Sequence, residues 1–137
     1  MPATDHVTPR ELLVRTKRLA TEIAAKHAAD VDAKSRFPTE TFTAAREARL
    51  LSAAVPVELG GAGASMTDLV EMCHALGTAC GSSAMILAMH HIQVAMLVRH
   101  ARGVPFFDAY LRELVDDQLL LASVTSEVGI GGDTRSS

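Results

Sequence analysis

From residue 82 to residue 101 the sequence reads SSAMILAMHHIQVAMLVRHA, apolar almost all the way round a helical turn. A surface helix gathers its apolar side chains into one stripe, so a segment of this kind belongs to a helix with others packed about it. His90, His91, Gln93, Arg99 and His100 interrupt the run and argue against a membrane span. The partners it needs should themselves be helices. Of 137 residues 48% are hydrophobic, yet only four Phe, one Tyr and no Trp are present, so Ala, Leu, Val and Met must fill the interior. Ala and Leu are strong helix formers, the aromatics that favour strands are scarce, and the length suits one domain with a real core.

Thr8, Pro9 and Glu11 spell a helix start: a hydroxyl cap, a proline at the first helical position and an acid placed to cap back. The spacing of Leu12, Leu19, Ile23 and Ala24 predicts an amphipathic helix to about Ala29. A shorter helix begins near Pro38 in FPTETFTAAREARLL and presents Phe42, Ala45 and the stem of Arg49 to the first. Pro56, Gly60, Gly61 and Gly63 exclude a helix interior from SAAVPVELGGAGAS, which reads as a structured loop. Ser65 with Asp68 restarts a helix whose inward stripe is Met66, Leu69, Val70, Cys73, Leu76 and Cys80, punctuated by Gly81. Gly103 and Pro105 end the central helix and begin PFFDAYLRELVDDQ, with Phe106, Tyr110, Leu111 and Leu114 inward. The methionines at 66, 72, 85, 89 and 96 read as gap-filling core. LLLASVT after Gln118 is short, apolar and followed by glycines, the pattern of a strand. The expected fold is all-α, a helical bundle of about five helices with a C-terminal strand.

Several functions are disfavoured. A net charge of −3 gives no basic footprint for nucleic acid or an anionic membrane. Cys73 and Cys80 lie two helical turns apart, roughly 10 Å, beyond disulfide reach. His90 and His91 point about 100° apart on a helix and cannot chelate one metal together, so no metal site is expected. No Ser, His and Asp spacing suggests nucleophilic catalysis, and Gly60 and Gly61 precede a helix without the lysine of a phosphate loop. The N-terminus lacks a basic-then-apolar leader, which points to the cytoplasm.

Four stretches, FPTETF, LLSAAVPVELGGAGAS, SSAMILAMH and LLLASVTSEVGIGGD, stand in an order and spacing that resembles the acyl-CoA dehydrogenases. The resemblance covers the chain from about residue 10 onward. It implies an N-terminal helical domain over 1–117 and, over 118–137, the first strand and flavin loop of a middle β-domain. In that family the strand and its threonine bond the flavin ring of FAD, and the loop that follows lies by the cofactor pyrophosphate and the acyl-CoA substrate. Carried over by position, Thr125 is the flavin threonine, Ala122 and Val124 supply backbone groups, and Gly131, Gly132 and Asp133 stand at the loop end, with Gly132 also toward the substrate. A hydroxyl and N–H groups at the ring edge stabilise negative charge on a reduced flavin.

The pattern is not followed throughout. Ser126 resembles a one-residue insertion, Val128 stands where the family has proline, and Gly132 replaces a serine, leaving only a backbone N–H as donor. The implied chemistry is α-proton removal by a carboxylate with hydride transfer to the flavin, and the family draws that carboxylate from a C-terminal bundle. No catalytic residue is therefore assigned within 1–137, and FAD is not expected on the isolated chain. Two other readings stand beside this one: a flavin monooxygenase or oxidase of the same fold, and a non-catalytic helical module. A face that further domains would cover implies self-association of the chain alone.

Overall fold

The computed structural model describes residues 7–124. Its helices are α1 (Pro9–Leu19), α2 (Ala25–Lys34), α3 (Thr39–Glu47), α4 (Met66–Gly77), α5 (Gly81–His100) and α6 (Pro105–Asp117). A π-helical turn, Ala20–Ala24, joins α1 to α2 without a break, so the described residues form five rods as the periodicity implies. The first rod runs past Ala29 because that turn carries the helix onward. Thr21 Oγ1 back-bonds there to the carbonyls of Lys17 at 3.2 Å and Arg18 at 3.1 Å, accommodating the wider spiral.

The caps follow from local chemistry. Glu11 N–H donates to Thr8 Oγ1 at 3.3 Å while Thr8 N–H donates to Glu11 Oε2 at 2.7 Å. Ser65 and Asp68 repeat the reciprocal box at α4, at 3.3 and 2.8 Å. Each box satisfies donors that a helix start leaves unpaired. α2 ends on Ser35 at φ 47, in the left-handed region, with Arg36 N–H returning to the Val31 carbonyl at 3.2 Å.

Two apolar clusters meet along the 50–64 stretch. Leu12, Leu19, Phe42, Leu51, Met72 and Leu87 belong to the larger, and Val55, Leu59, Val94, Leu111, Leu114 and Val115 form the smaller under α6. The glycine-rich loop folds back upon itself. Gly63 N–H donates to Val55 O and Ala64 N–H to Ala53 O, each at 2.9 Å, so these glycines serve backbone packing.

Several sequence expectations need correction. α5 packs chiefly on α4, with lesser contact to α2 and the Leu50–Ser52 turn, and so is covered on one side only. Ser83, Leu87, His90, His91 and Val94 are buried, whereas Met85, Met89, Ile92 and Met96 are exposed. On α4 the buried set is Leu69, Met72 and Leu76, while Met66 and Val70 face outward, because the helix turns its 69/72/76 stripe rather than its 66/70/73 stripe inward. Met72 alone of the five methionines fills the core. Phe106, at the start of α6, is 71% exposed. Arg49 takes φ 59 and donates from Nη2 to the Val115 carbonyl of α6 at 3.0 Å, a contact the sequence did not suggest.

Residues 119–124 form no strand, since no neighbouring strand exists among the described residues to share a ladder. Their apolar side chains are taken up all the same. Leu119 and Leu121 pack on the smaller cluster and Leu120 on the larger, so the helical domain supplies the burial that a sheet would otherwise give.

Candidate functional site

The segment leaving α6 carries the residues singled out for cofactor contact, and several elements converge to direct it. Gln118 closes α6 in the left-handed region at φ 50, which turns the chain away from the helix axis. Its buried amide donates to Ser52 Oγ and to the Val115 carbonyl, both at 2.8 Å. Arg46 Nε of α3 donates to the Gln118 carbonyl at 3.3 Å, and Arg49, just past the end of α3, joins it, so two arginines stand against the carbonyl-rich end of α6, where positive charge is favourable. Leu119 N–H returns to Leu114 O at 3.2 Å. Leu121 N–H then reaches His90 Nδ1 at 3.0 Å.

His90 is fully buried, and its Nε2 lies 2.7 Å from the Leu51 carbonyl. Since Nδ1 accepts from Leu121, the proton sits on Nε2 and is donated to Leu51. Burial lowers the tendency of His90 to charge, and the Leu51 carbonyl opposes this in part. The ring is therefore a neutral two-ended connector.

Ala122 and Val124 lie exposed beyond this point, Val124 at 85%, and neither forms a hydrogen bond among the described residues. Thr125, Gly131 and Gly132 fall outside the described residues.

A second feature lies round the helix from His90. Met66, Val70, Cys73, His74, His91 and Ile92 are among the residues lining an apolar groove of about 400 Å³ between α4 and α5. His91 is only 3% exposed, and neither of its ring nitrogens has a hydrogen-bond partner among the described residues. Burial, with repulsion from neighbouring His90, pushes its pKa down to about 3, so it is neutral near pH 7. Burial also pushes the Cys73 thiol up, away from the thiolate a nucleophile needs. Among the described residues no three His, Cys, Asp or Glu converge as metal ligands.

Comparison with known proteins decides what this arrangement belongs to. A family model, acyl-CoA dehydrogenase N-terminal domain, matches residues 8–103, from the Thr8 cap to the turn after α5. The chain belongs to the acyl-CoA dehydrogenase family. It is 40% identical over 78 residues to 3-sulfinopropanoyl-CoA desulfinase of Paraburkholderia xenovorans (strain LB400), covering 57% of this chain and 20% of that protein. It is 27% identical over 124 residues to cyclohex-1-ene-1-carbonyl-CoA dehydrogenase of Syntrophus aciditrophicus (strain SB), covering 89% of this chain and 30% of the relative. Acryloyl-CoA reductase (NADH) of Anaerotignum propionicum is 28% identical over 125 residues, 90% of this chain and 32% of its own length. The chain thus spans between 20% and 32% of these curated relatives. No solved structure matches significantly.

Sequence reasoning missed the two-ended role of His90 and the carbonyl contacts of Arg46 and Arg49. Their partners lie 31 to 72 residues away, so no local spacing marked them. The one available signal was a histidine within an otherwise apolar helix.

Proposed function

We propose that this chain is the N-terminal helical part of an FAD-dependent oxidoreductase that acts on an acyl-CoA thioester by α,β-dehydrogenation, with 1–117 as the helical unit and 118–137 as the first segment of a β-domain. The observation that carries the reading is that all three relatives are named for a CoA thioester while their named reactions differ. The substrate class is therefore better supported than the reaction. FAD, when bound, supplies a hydride acceptor. This chain's share is to present the backbone of Ala122 and Val124 and the hydroxyl of Thr125 along one edge of the ring, with Gly131 and Gly132 toward the pyrophosphate and Gly132 also toward the substrate. The exposed Met85, Met89, Ile92 and Met96 of α5 support self-association of the chain through that face.

Flavin fluorescence titration tests the reading. The 137-residue chain should not retain FAD, whereas a protein continued to the length of the relatives should bind it. Thr125→Ala in the longer protein should weaken binding about 5- to 10-fold, the loss of one hydrogen bond of about 1 kcal/mol. Unchanged affinity would remove Thr125 from the site. One relative favours a second reaction: the 40% identity to a desulfinase supports carbon–sulfur cleavage of a sulfinyl acyl-CoA. Sulfite release from 3-sulfinopropanoyl-CoA, set against dye reduction by a saturated acyl-CoA, separates the two.

A further inference from the structure

We infer that His90 is a positioning residue: by accepting from the Leu121 amide while donating to the Leu51 carbonyl, it sets the course of the segment that carries Ala122 and Val124. That Ala122 and Val124 meet a flavin rests on the reading above; the anchor itself does not.

The geometry separates His90 from the other contacts at the end of α6. Arg46, Arg49, Ser52 and Leu114 hold the chain at Val115, Gln118 and Leu119. Beyond Leu119, among the described residues, the hydrogen bond that holds the backbone is Leu121 N–H to His90 Nδ1 at 3.0 Å. Leu119, Leu120 and Leu121 rest on the two apolar clusters, and the bond to His90 adds a directional hold at Leu121, next to exposed Ala122. The bond therefore narrows the positions open to Ala122 and Val124 before any ligand arrives, which lowers the ordering cost of binding. Both ends of the ring are committed. Nδ1 must keep its lone pair for Leu121 and Nε2 its proton for Leu51, so one tautomer alone satisfies the site. Leu51 is fully buried in the larger cluster, so the direction of the outgoing segment is referred to the core.

Two substitutions divide the ring's functions. The amide oxygen of Asn occupies about the place of Nδ1, and the amide nitrogen of Gln about that of Nε2. His90→Asn keeps an acceptor for Leu121 and loses the donor to Leu51; His90→Gln does the reverse. Amide hydrogen exchange of the 15N-labelled chain should show the Leu121 N–H losing at least tenfold more protection than the Leu87 and Leu114 amides in His90→Gln, and losing no more than they do in His90→Asn. Equal losses at all three amides in both variants would mean ordinary core packing and overturn the inference. In the unsubstituted chain, which needs no variant to fold, His90 Nδ1 should show the 15N shift of a lone-pair nitrogen, with scalar coupling across the hydrogen bond to the Leu121 nitrogen. A protonated Nδ1 would also overturn it. These readouts use no cofactor. Failure here sinks the anchor alone, and failure of FAD to bind the longer protein sinks the flavin reading alone.

Discussion

A Cβ added to Gly61 would stand 2.1 Å from the Val55 carbonyl oxygen and 2.5 Å from the Val55 carbonyl carbon. The obstacle is backbone, and that oxygen accepts the Gly63 N–H at 2.9 Å, so it cannot withdraw without opening the loop closure. Gly61→Ala should therefore destabilise by about 3 kcal/mol or more, in the range of strained core overpacking. Gly81→Ala is the matched control: nothing lies within 4 Å of its added Cβ at the start of α5, and the change should be neutral or stabilising by up to about 1 kcal/mol. Urea melts of both variants check the contrast, and equal midpoints would show that the loop does not close on Val55.

Leu87 and Met89 lie two residues apart on α5 and face opposite environments. Leu87 is fully buried, whereas Met89 is 38% exposed on the outer face. Leu87→Ala should cost about 2–5 kcal/mol through lost burial and a cavity. Met89→Asp should leave the chain folded, because water reaches the new carboxylate, and should reduce self-association by placing charge on the apolar face. Thermal melts and light scattering separate these outcomes. An unfolded Met89→Asp variant would show that the outer face of α5 is covered after all.

The sequence carried the rods of this fold but not their faces. Thr8/Glu11 and Ser65/Asp68 were readable because a capping box is a contact over three residues, and the predicted geometry is the one observed. The side of α5 that faces inward could not be read, because a helix apolar all round has no periodic asymmetry, and only the placement of α4 against it decides that Leu87 is buried and Met89 is not. The exit segment shows the same limit. Its short apolar run was legible, but whether a strand or the flank of a helical domain takes up Leu119, Leu120 and Leu121 depends on what lies beside it. Of the candidate site, Ala122 and Val124 are exposed, while Thr125, Gly131 and Gly132 lie outside the described residues.

His90 and His91 should make stability depend on pH below neutrality. Burial is the leading cause holding both below the ordinary imidazole range, and His91 is pushed down to about 3. In the unfolded chain each returns to about 6.5. Below that value the unfolded state binds protons that the folded state refuses, so stability is complete above about pH 7.5 and falls as the pH drops. Each histidine contributes a slope of at most about 1.4 kcal/mol per pH unit, or about 2.7 for the pair while both stay neutral in the fold. The carboxylates act in a separate window. Glu11, Asp30, Glu40, Glu58 and Asp68 are held below their usual range, most through hydrogen bonds that Thr8, Lys34, Arg36 and Ser65 donate to them, so their contribution is lost only as the pH falls below about 4.5. Urea denaturation at pH 7.5, 6.0 and 5.0 isolates the histidines, and His91→Phe should remove about half of the slope by replacing a titrating ring with an apolar one. A midpoint constant from pH 7.5 to 5.0 would mean that both rings already accept protons in the folded chain, against the burial of His91 between α4 and α5.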